Sequence, residues 1–261
     1  MTRSAPSDDG VRPYSTAAGC PVAPAGATTY ASFLNVDALL ALQEPGEAHD
    51  RLLFVVIHQS HELWFKLLLH ELDHAVSLAG RRSYRVAMVP VRRINWIVRS
   101  MIAQWDVLDT MTPRGYLEFR DALESGSGFQ SAQFREIEFT AGLPDRGYVA
   151  SPWLSDDERG RLSRRLEQPT LRQTFLDAVA TTGQSMVELL RDPVDPELGD
   201  FAETLADFDE LFALWRSRHV LAVERQIGAK PGTGRSSGVE YLRSTTTRRF
   251  FPEIWEARSI L

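Results

Sequence analysis

Residues 50–79 read DRLLFVVIHQSHELWFKLLLHELDHAVSLA, with neither proline nor glycine and with leucine, phenylalanine, valine and glutamate crowded together. As one helix this stretch is about 45 Å long at a rise of 1.5 Å per residue. It is apolar on more than one face near its start, which predicts deep burial there, and Gly80 follows as a natural C-cap. A helix of this kind needs helical partners, and the chain on either side supplies them. A second long helical segment runs from about Val91 to Asp109, Pro113-Arg114-Gly115 marks a turn, and a further helix begins near Tyr116. Ser125 to Gly128 reads as a loop, and residues 156–192 read as helix in pieces, interrupted at Pro169. The last strong helix spans about Pro196 to Ile227, with Phe201, Leu205, Phe208, Leu211, Phe212, Trp215, Val223 and Ile227 forming its apolar stripe. Pro231 to Gly238 is a Gly/Ser loop, followed by a short helix around Val239 to Leu242. Upstream, Asp37, Leu39, Leu40 and Leu42 belong to a short amphipathic helix ended by Pro45-Gly46, and residues 1–28 read as a disordered tail. Nothing alternates with period two for long enough to form a sheet, and there is no internal repeat. The fold class is all-α: a single helical-bundle domain over residues 29–261.

Composition narrows the function. A net charge of −6 argues against a nucleic-acid binder, which needs concentrated positive charge. The local cluster Arg81, Arg82, Arg85, Arg92, Arg93 and Arg99 reads as a solvated helix face. Cys20 is the only cysteine, so no intrachain disulfide or cysteine-based metal site can form, in keeping with a reducing cytoplasm. The N-terminus has early acids and no apolar core, unlike a signal peptide. The apolar run Leu52 to Ile57 is far shorter than the ~20 residues of a membrane span, so a soluble chain with no membrane partner is expected.

Six histidines carry most of the chemical information: His49, His58, His61, His70, His74 and His219. His70-Glu71-Leu72-Asp73-His74 matches the H-E-x-x-H zinc-protease signature. A catalytic zinc needs a third protein ligand, yet Ser77 and Gly80 stand where the extended motif requires glycine and histidine, and no acid occurs from Leu78 to Trp105. A solvated helix face is the better reading. His219 lies four residues after Trp215 and four before Val223, on a buried stripe. His58 also sits on an apolar face, four residues after Phe54 and seven before Phe65. Each is open to the reading of a satisfied core histidine. Together, on separate helices, they are also placed to flank a flat cofactor, one ligating iron and one facing its reactants.

Three groups of segments, in order, resemble the tryptophan 2,3-dioxygenase family. The first is Phe54-Val55-Val56-Ile57-His58-Gln59 running into Glu62-Leu63-Trp64-Phe65-Lys66, with Glu71-Leu72 after it. The second is Tyr116-Leu117-Glu118-Phe119-Arg120, then Ser127-Gly128-Phe129-Gln130-Ser131 and Gln133-Phe134-Arg135. The third is Trp215-Arg216 to His219, then Val223, Arg225, Ile227-Gly228, Lys230, Gly232-Thr233-Gly234, Ser236-Ser237-Gly238, Tyr241-Leu242 and Phe251-Pro252. The resemblance implies a cytoplasmic, homotetrameric haem b enzyme that adds both atoms of O2 to the indole of L-tryptophan, giving N-formylkynurenine. It implies His219 as the iron ligand and His58 as the histidine that hydrogen-bonds the indole N–H, with Phe54 beside the ring. It further implies Arg120 on the substrate carboxylate with Tyr116 one turn earlier, Thr233 on the substrate ammonium, and Trp105, Ser127 and Gly128 at the cofactor.

Residue chemistry fits these roles. A guanidinium holds a carboxylate through two parallel hydrogen bonds, and Tyr116 and Arg120 at i and i+4 would share a helix face. Gly232, Gly234 and Gly238 suit a loop able to close over a substrate. Three features depart from the family pattern. Arg235 replaces a glycine of the Gly-Thr-Gly-Gly-Ser-Ser-Gly loop, and Phe33 replaces a tyrosine that reaches a neighbouring subunit's pocket. The region between Phe139 and Trp215 is shorter than usual. Two other readings therefore stand beside dioxygenation: monooxygenation of tryptophan or a substituted tryptophan in specialised metabolism, and a haem sensor or store without turnover.

Overall fold

The computed structural model describes residues 27–233 and 237–261. Most of the expected N-terminal tail, and Arg235, lie outside the described residues. The contacts divide the chain at Glu44. The first unit contains α1 (Tyr30–Leu34) and α2 (Val36–Leu40), separated by Asn35 in the left-handed region at φ 53°. Two short helices thus replace the one expected around Asp37 to Leu42. Neither has a buried residue, and Tyr30, Phe33, Leu34, Leu40 and Leu42 are exposed.

The second unit is helical throughout, and no strand occurs among the described residues. It opens with α3 (His49–Gly80) and α4 (Tyr84–Leu108), followed by the short α5 (Pro113–Leu117). Two 3-10 turns, Arg120–Leu123 and Gly128–Gln130, lead to α6 (Ala132–Ala141) and α7 (Arg146–Val149). Then come α8 (Asp156–Glu167), α9 (Leu171–Thr182) and α10 (Met186–Arg191). The chain closes with α11 (Pro196–Ile227), α12 (Val239–Thr245) and α13 (Pro252–Arg258).

Local signals explain several boundaries. Asp195 caps α11 by accepting from the backbone N–H of Glu197 and Leu198, Pro196 presets its first turn, and Gly228 at φ 59° stops it. Ser155 with Glu158 and Ser185 with Glu188 form capping boxes that start α8 and α10. α4 begins seven residues before the expected Val91 and runs through Pro90. The lost ladder bond is tolerated because Tyr84, Ala87 and Met88 are buried in the same core as Val91. The start of α3 also differs from expectation: Leu52 to Val55 are half-buried and Val56 is exposed, and Phe54, packed against His58, Tyr116 and Phe119, also borders an open cavity.

α3 and α11 both pack along α4 rather than along each other. Aromatic contacts, including Phe65 with Trp215 at 6.2 Å, join them at depth. By length and composition α3 is apolar enough to cross a membrane, its best window having a mean hydropathy of 1.2. Here it supplies Ile57, Phe65, Leu68, Leu72 and Ala75 to the core. Midway along α11, Asp209 is fully buried. Its carboxylate accepts from Phe250 N (2.8 Å), Phe251 N (3.2 Å) and Trp255 Nε1 (2.9 Å), which pins the segment entering α13 against Phe208 and Phe212.

Candidate functional site

The space between α3 and α11 is a cavity of about 890 Å³, its open mouth included. All nine residues singled out from the sequence border it: Phe54, His58, Trp105, Tyr116, Arg120, Ser127, Gly128, His219 and Thr233. They come from α3, α4, α5, α11 and the loops between helices, so only the tertiary fold brings them together. A deeper space shares His58, Trp105, Gly128 and His219 with it and continues between Phe65, Phe134 and Trp215.

His219 projects from α11 and lines both spaces. Neither of its ring nitrogens makes a hydrogen bond among the described residues. Trp105 stacks on it at 4.9 Å and 12°, and Trp215 tilts against it at 5.4 Å. Burial, with His58 and His61 nearby, pushes its pKa down to about 3, so the imidazole is neutral. On α3, His58 Nδ1 donates to Phe54 O at 2.7 Å. A carbonyl can only accept, so this bond fixes the proton on Nδ1 and leaves Nε2 as a lone pair. Burial lowers the His58 pKa against the opposing pull of the Phe54 carbonyl and Glu62. The Phe54 ring covers the imidazole at 3.9 Å.

His61, one turn further along α3, was not singled out from the sequence. It is buried, donates Nδ1–H to Ile57 O at 2.9 Å, and is pushed down to about 4 by burial. Its position three residues after His58 and four before Phe65, on the same apolar face, is the signal that could have found it.

These neutral histidines set the acid response of the ligand-free chain. Unfolded, each protonates near pH 6.5. Between that pH and about 4, the unfolded chain therefore carries protons that folded His61 and His219 refuse, and stability falls as pH falls. The expected slope is about 1.4 kcal/mol per pH unit for each of the two. Urea midpoints at pH 7 and pH 5 measure it, and equal midpoints would refute it.

Tyr116 and Arg120 do not share one helix, contrary to expectation. α5 ends at Leu117 and Arg120 opens a 3-10 turn, because Phe119 leaves helical geometry at ψ 0°. The two side chains still meet: burial raises the Tyr116 pKa while the adjacent Arg120 opposes the rise. Arg120 Nη2 donates to Pro231 O at 3.0 Å, and the Thr233 hydroxyl donates to Gly126 O at 2.5 Å. These two bonds latch residues 120–126 to residues 231–233. Gly238 has φ 64°, and a Cβ there would meet Lys230 O at 2.7 Å, so this close approach of the backbone requires glycine at 238.

Behind the deep space, Glu138 holds two buried arginines. Arg135 Nη1 donates to one carboxylate oxygen at 2.5 Å and Arg216 Nη2 to the other at 3.0 Å. Arg216 Nη1 also donates to Arg248 O, and Arg135 Nη2 to Tyr241 Oη. The H-E-x-x-H segment lies elsewhere: His70 and His74 are exposed, while Glu71 is buried and paired with Arg93 at 2.7 Å. The arginines from Arg81 to Arg99 are exposed, as expected.

The residues that border the cavity are compatible with a haem. Among the described residues no group of three or more His, Cys, Asp or Glu could hold a bare ion. A porphyrin brings its own four nitrogens, so one neutral imidazole with an unengaged nitrogen suffices, and His219, both of whose nitrogens are unengaged among the described residues, meets that requirement. Gly128 borders both spaces and a Cβ there would meet nothing within 4 Å, so a flat ring can approach its backbone.

The sequence profile of the tryptophan 2,3-dioxygenase family matches residues 15–151 and 153–261. A protein of Herpetosiphon aurantiacus named tryptophan 2,3-dioxygenase is 42% identical over 259 residues, covering 90% of this chain and 99% of the relative. Proteins of the same name from Caulobacter vibrioides and a Nocardioides species are 39% and 42% identical. They cover 89% of this chain in each case, and 98% and 94% of their own lengths.

Proposed function

The chain belongs to the tryptophan 2,3-dioxygenase family, and from that premise we propose that it holds haem b on His219 and oxidises the indole ring of L-tryptophan with O2 to N-formylkynurenine. The observation that carries the reading is the neutral, unengaged imidazole of His219 facing a cavity whose other wall presents the lone pair of His58. When bound, haem supplies the activation of O2 that no side chain can provide.

The protein's own residues bind and orient. His58 Nε2 accepts the indole N–H; it aligns the ring rather than removing the proton, which is too weakly acidic for general-base removal. Phe54 packs beside the indole. Arg120 exchanges its bond to Pro231 O for the substrate carboxylate, with Tyr116 buried alongside. Thr233 receives the ammonium end, and the loop latch closes water out. Trp105, Ser127 and Gly128 border the haem.

A homotetramer is supported by the first unit, where Phe33 is 77% exposed and no side chain is buried among the described residues. A neighbouring copy of the chain covers such a surface. Sedimentation as a monomer would overturn the assembly. The single cysteine and the bacterial relatives support a cytoplasmic setting.

The deciding experiment incubates the reduced, haem-loaded protein with L-tryptophan and 18O2. N-formylkynurenine carrying two labelled atoms is expected; one labelled atom, or no product, overturns the reading. Arg120→Ala is expected to weaken binding of L-tryptophan roughly 10–100-fold, the equivalent of ~1.5–3 kcal/mol for hydrogen bonds to a charged group. Binding of indole, which has no carboxylate, changes little. Any loop effect of losing the Pro231 contact acts on both ligands, so equal losses would refute the carboxylate clamp.

A further inference from the structure

Three buried ring nitrogens beside His219 have no hydrogen-bond partner among the described residues: His61 Nε2, Trp105 Nε1 and Trp215 Nε1. They belong to one ring cluster. His61 lies 5.2 Å from Trp105 and 6.0 Å from Trp215, and the indoles are 5.6 Å apart, centroid to centroid. Both indoles also touch His219, Trp105 nearly parallel to it at 12° and Trp215 tilted at 48°. The polarity of the three atoms is complementary. His61 donates through Nδ1 to Ile57 O at 2.9 Å, so its Nε2 is a lone pair, whereas an indole nitrogen only donates. Native interiors leave few such groups unpaired. One acceptor among two donors is satisfied by a small ring rotation or by one bridging water.

We propose that His61 is a positioning residue for the haem ligand: its Nε2 accepts an indole N–H of the Trp105–Trp215 pair, directly or through one water, and the pair in turn fixes the ring of His219. This rests on the reading of His219 as the iron ligand. The device resembles the outer partners of metal-bound histidines, which orient a ligand they do not replace. The Trp105 indole plane sets the rotation of the imidazole stacked on it, and His61 sets the indole.

The test compares the ferrous haem-loaded wild type with His61→Phe, which keeps the ring and removes the acceptor, and His61→Gln, which keeps an acceptor. Resonance Raman of the iron–histidine stretch and the rate of haem loss are the readouts. His61→Phe is expected to shift the stretch and to lose haem about 10–100-fold faster, while His61→Gln stays with the wild type. Coincidence of His61→Phe with the wild type, or of His61→Gln with His61→Phe, overturns the proposal, the latter because it would show packing alone. Should His61→Phe fail to fold, indole 15N–1H spectra of the diamagnetic ferrous–carbonyl form decide. A hydrogen-bonded, downfield indole N–H of Trp105 or Trp215 in the wild type that stays hydrogen-bonded in His61→Gln supports the proposal; indole N–H resonances of both at unbonded positions in the wild type overturn it. A wild type with no Soret band defeats the iron-ligand reading itself, and this inference with it, so the two failures are distinguishable.

Discussion

His219→Ala purifies folded but colourless, with haem per chain reduced more than about tenfold and turnover lost with it. On the proposed reading the bond between protein and iron would run through this ring, and its removal would leave only the weaker contacts of the cavity walls to hold the porphyrin. The fold survives because the imidazole makes no hydrogen bond among the described residues, and its deletion therefore orphans no buried donor or acceptor there. Far-UV circular dichroism stays that of the wild type while the Soret band disappears. Free imidazole fits the space vacated against Trp105 and restores part of the absorbance. A variant with normal haem content would refute the ligand role outright.

The second large effect is on stability. Glu138→Ala leaves Arg135 and Arg216 facing each other with their common counter-charge gone, and both guanidiniums are buried. Breaking a buried ion pair by removing one partner is destabilising by about 3–5 kcal/mol, because the remaining charge is stranded. For a chain of this size that is a fall in Tm of roughly 6–20 °C. The damage reaches the site, since Arg135 holds Tyr241 of α12 and Arg216 holds the backbone at Arg248. Thermal melts of the ligand-free variant measure the effect. A shift below about 2 °C, equivalent to at most ~1 kcal/mol, would refute the network's role in holding the fold.

The long helices were legible in the sequence because their signals are local. Asp195-Pro196 and Gly228 mark the ends of α11 by capping chemistry alone, and the run without proline or glycine marks α3. α4 was read short because Pro90 looks like a boundary when its buried neighbours are unseen. α6 and α13 give no helical signal in the sequence: the buried positions of α6 mix Arg135, Glu136 and Glu138 with Ile137 and Phe139, so burial there follows no apolar period. The break between Tyr116 and Arg120 depends on backbone angles at Phe119 that no residue type dictates. Among site residues, the nine that line the cavity were found through motif resemblance, and spacing alone had isolated only His58 and His219. His61 went unseen because its significance lies in two tryptophans from other helices. The same holds for Glu138, whose partners are 3 and 78 residues away.

Asp209 carries a consequence for the order in which the molecule is made. Its hydrogen-bond donors are the backbone N–H groups of Phe250 and Phe251 and the indole of Trp255, 41 to 46 residues downstream. At 5–20 residues per second, they emerge roughly 2–9 s after the carboxylate does. Until then a bare anion sits on the face of α11 that carries Phe208 and Phe212, and burying that face would strand it without donors. The nascent helix must keep that face wet, and the aromatic core around Phe208 closes in a late step of biosynthesis rather than as α11 appears.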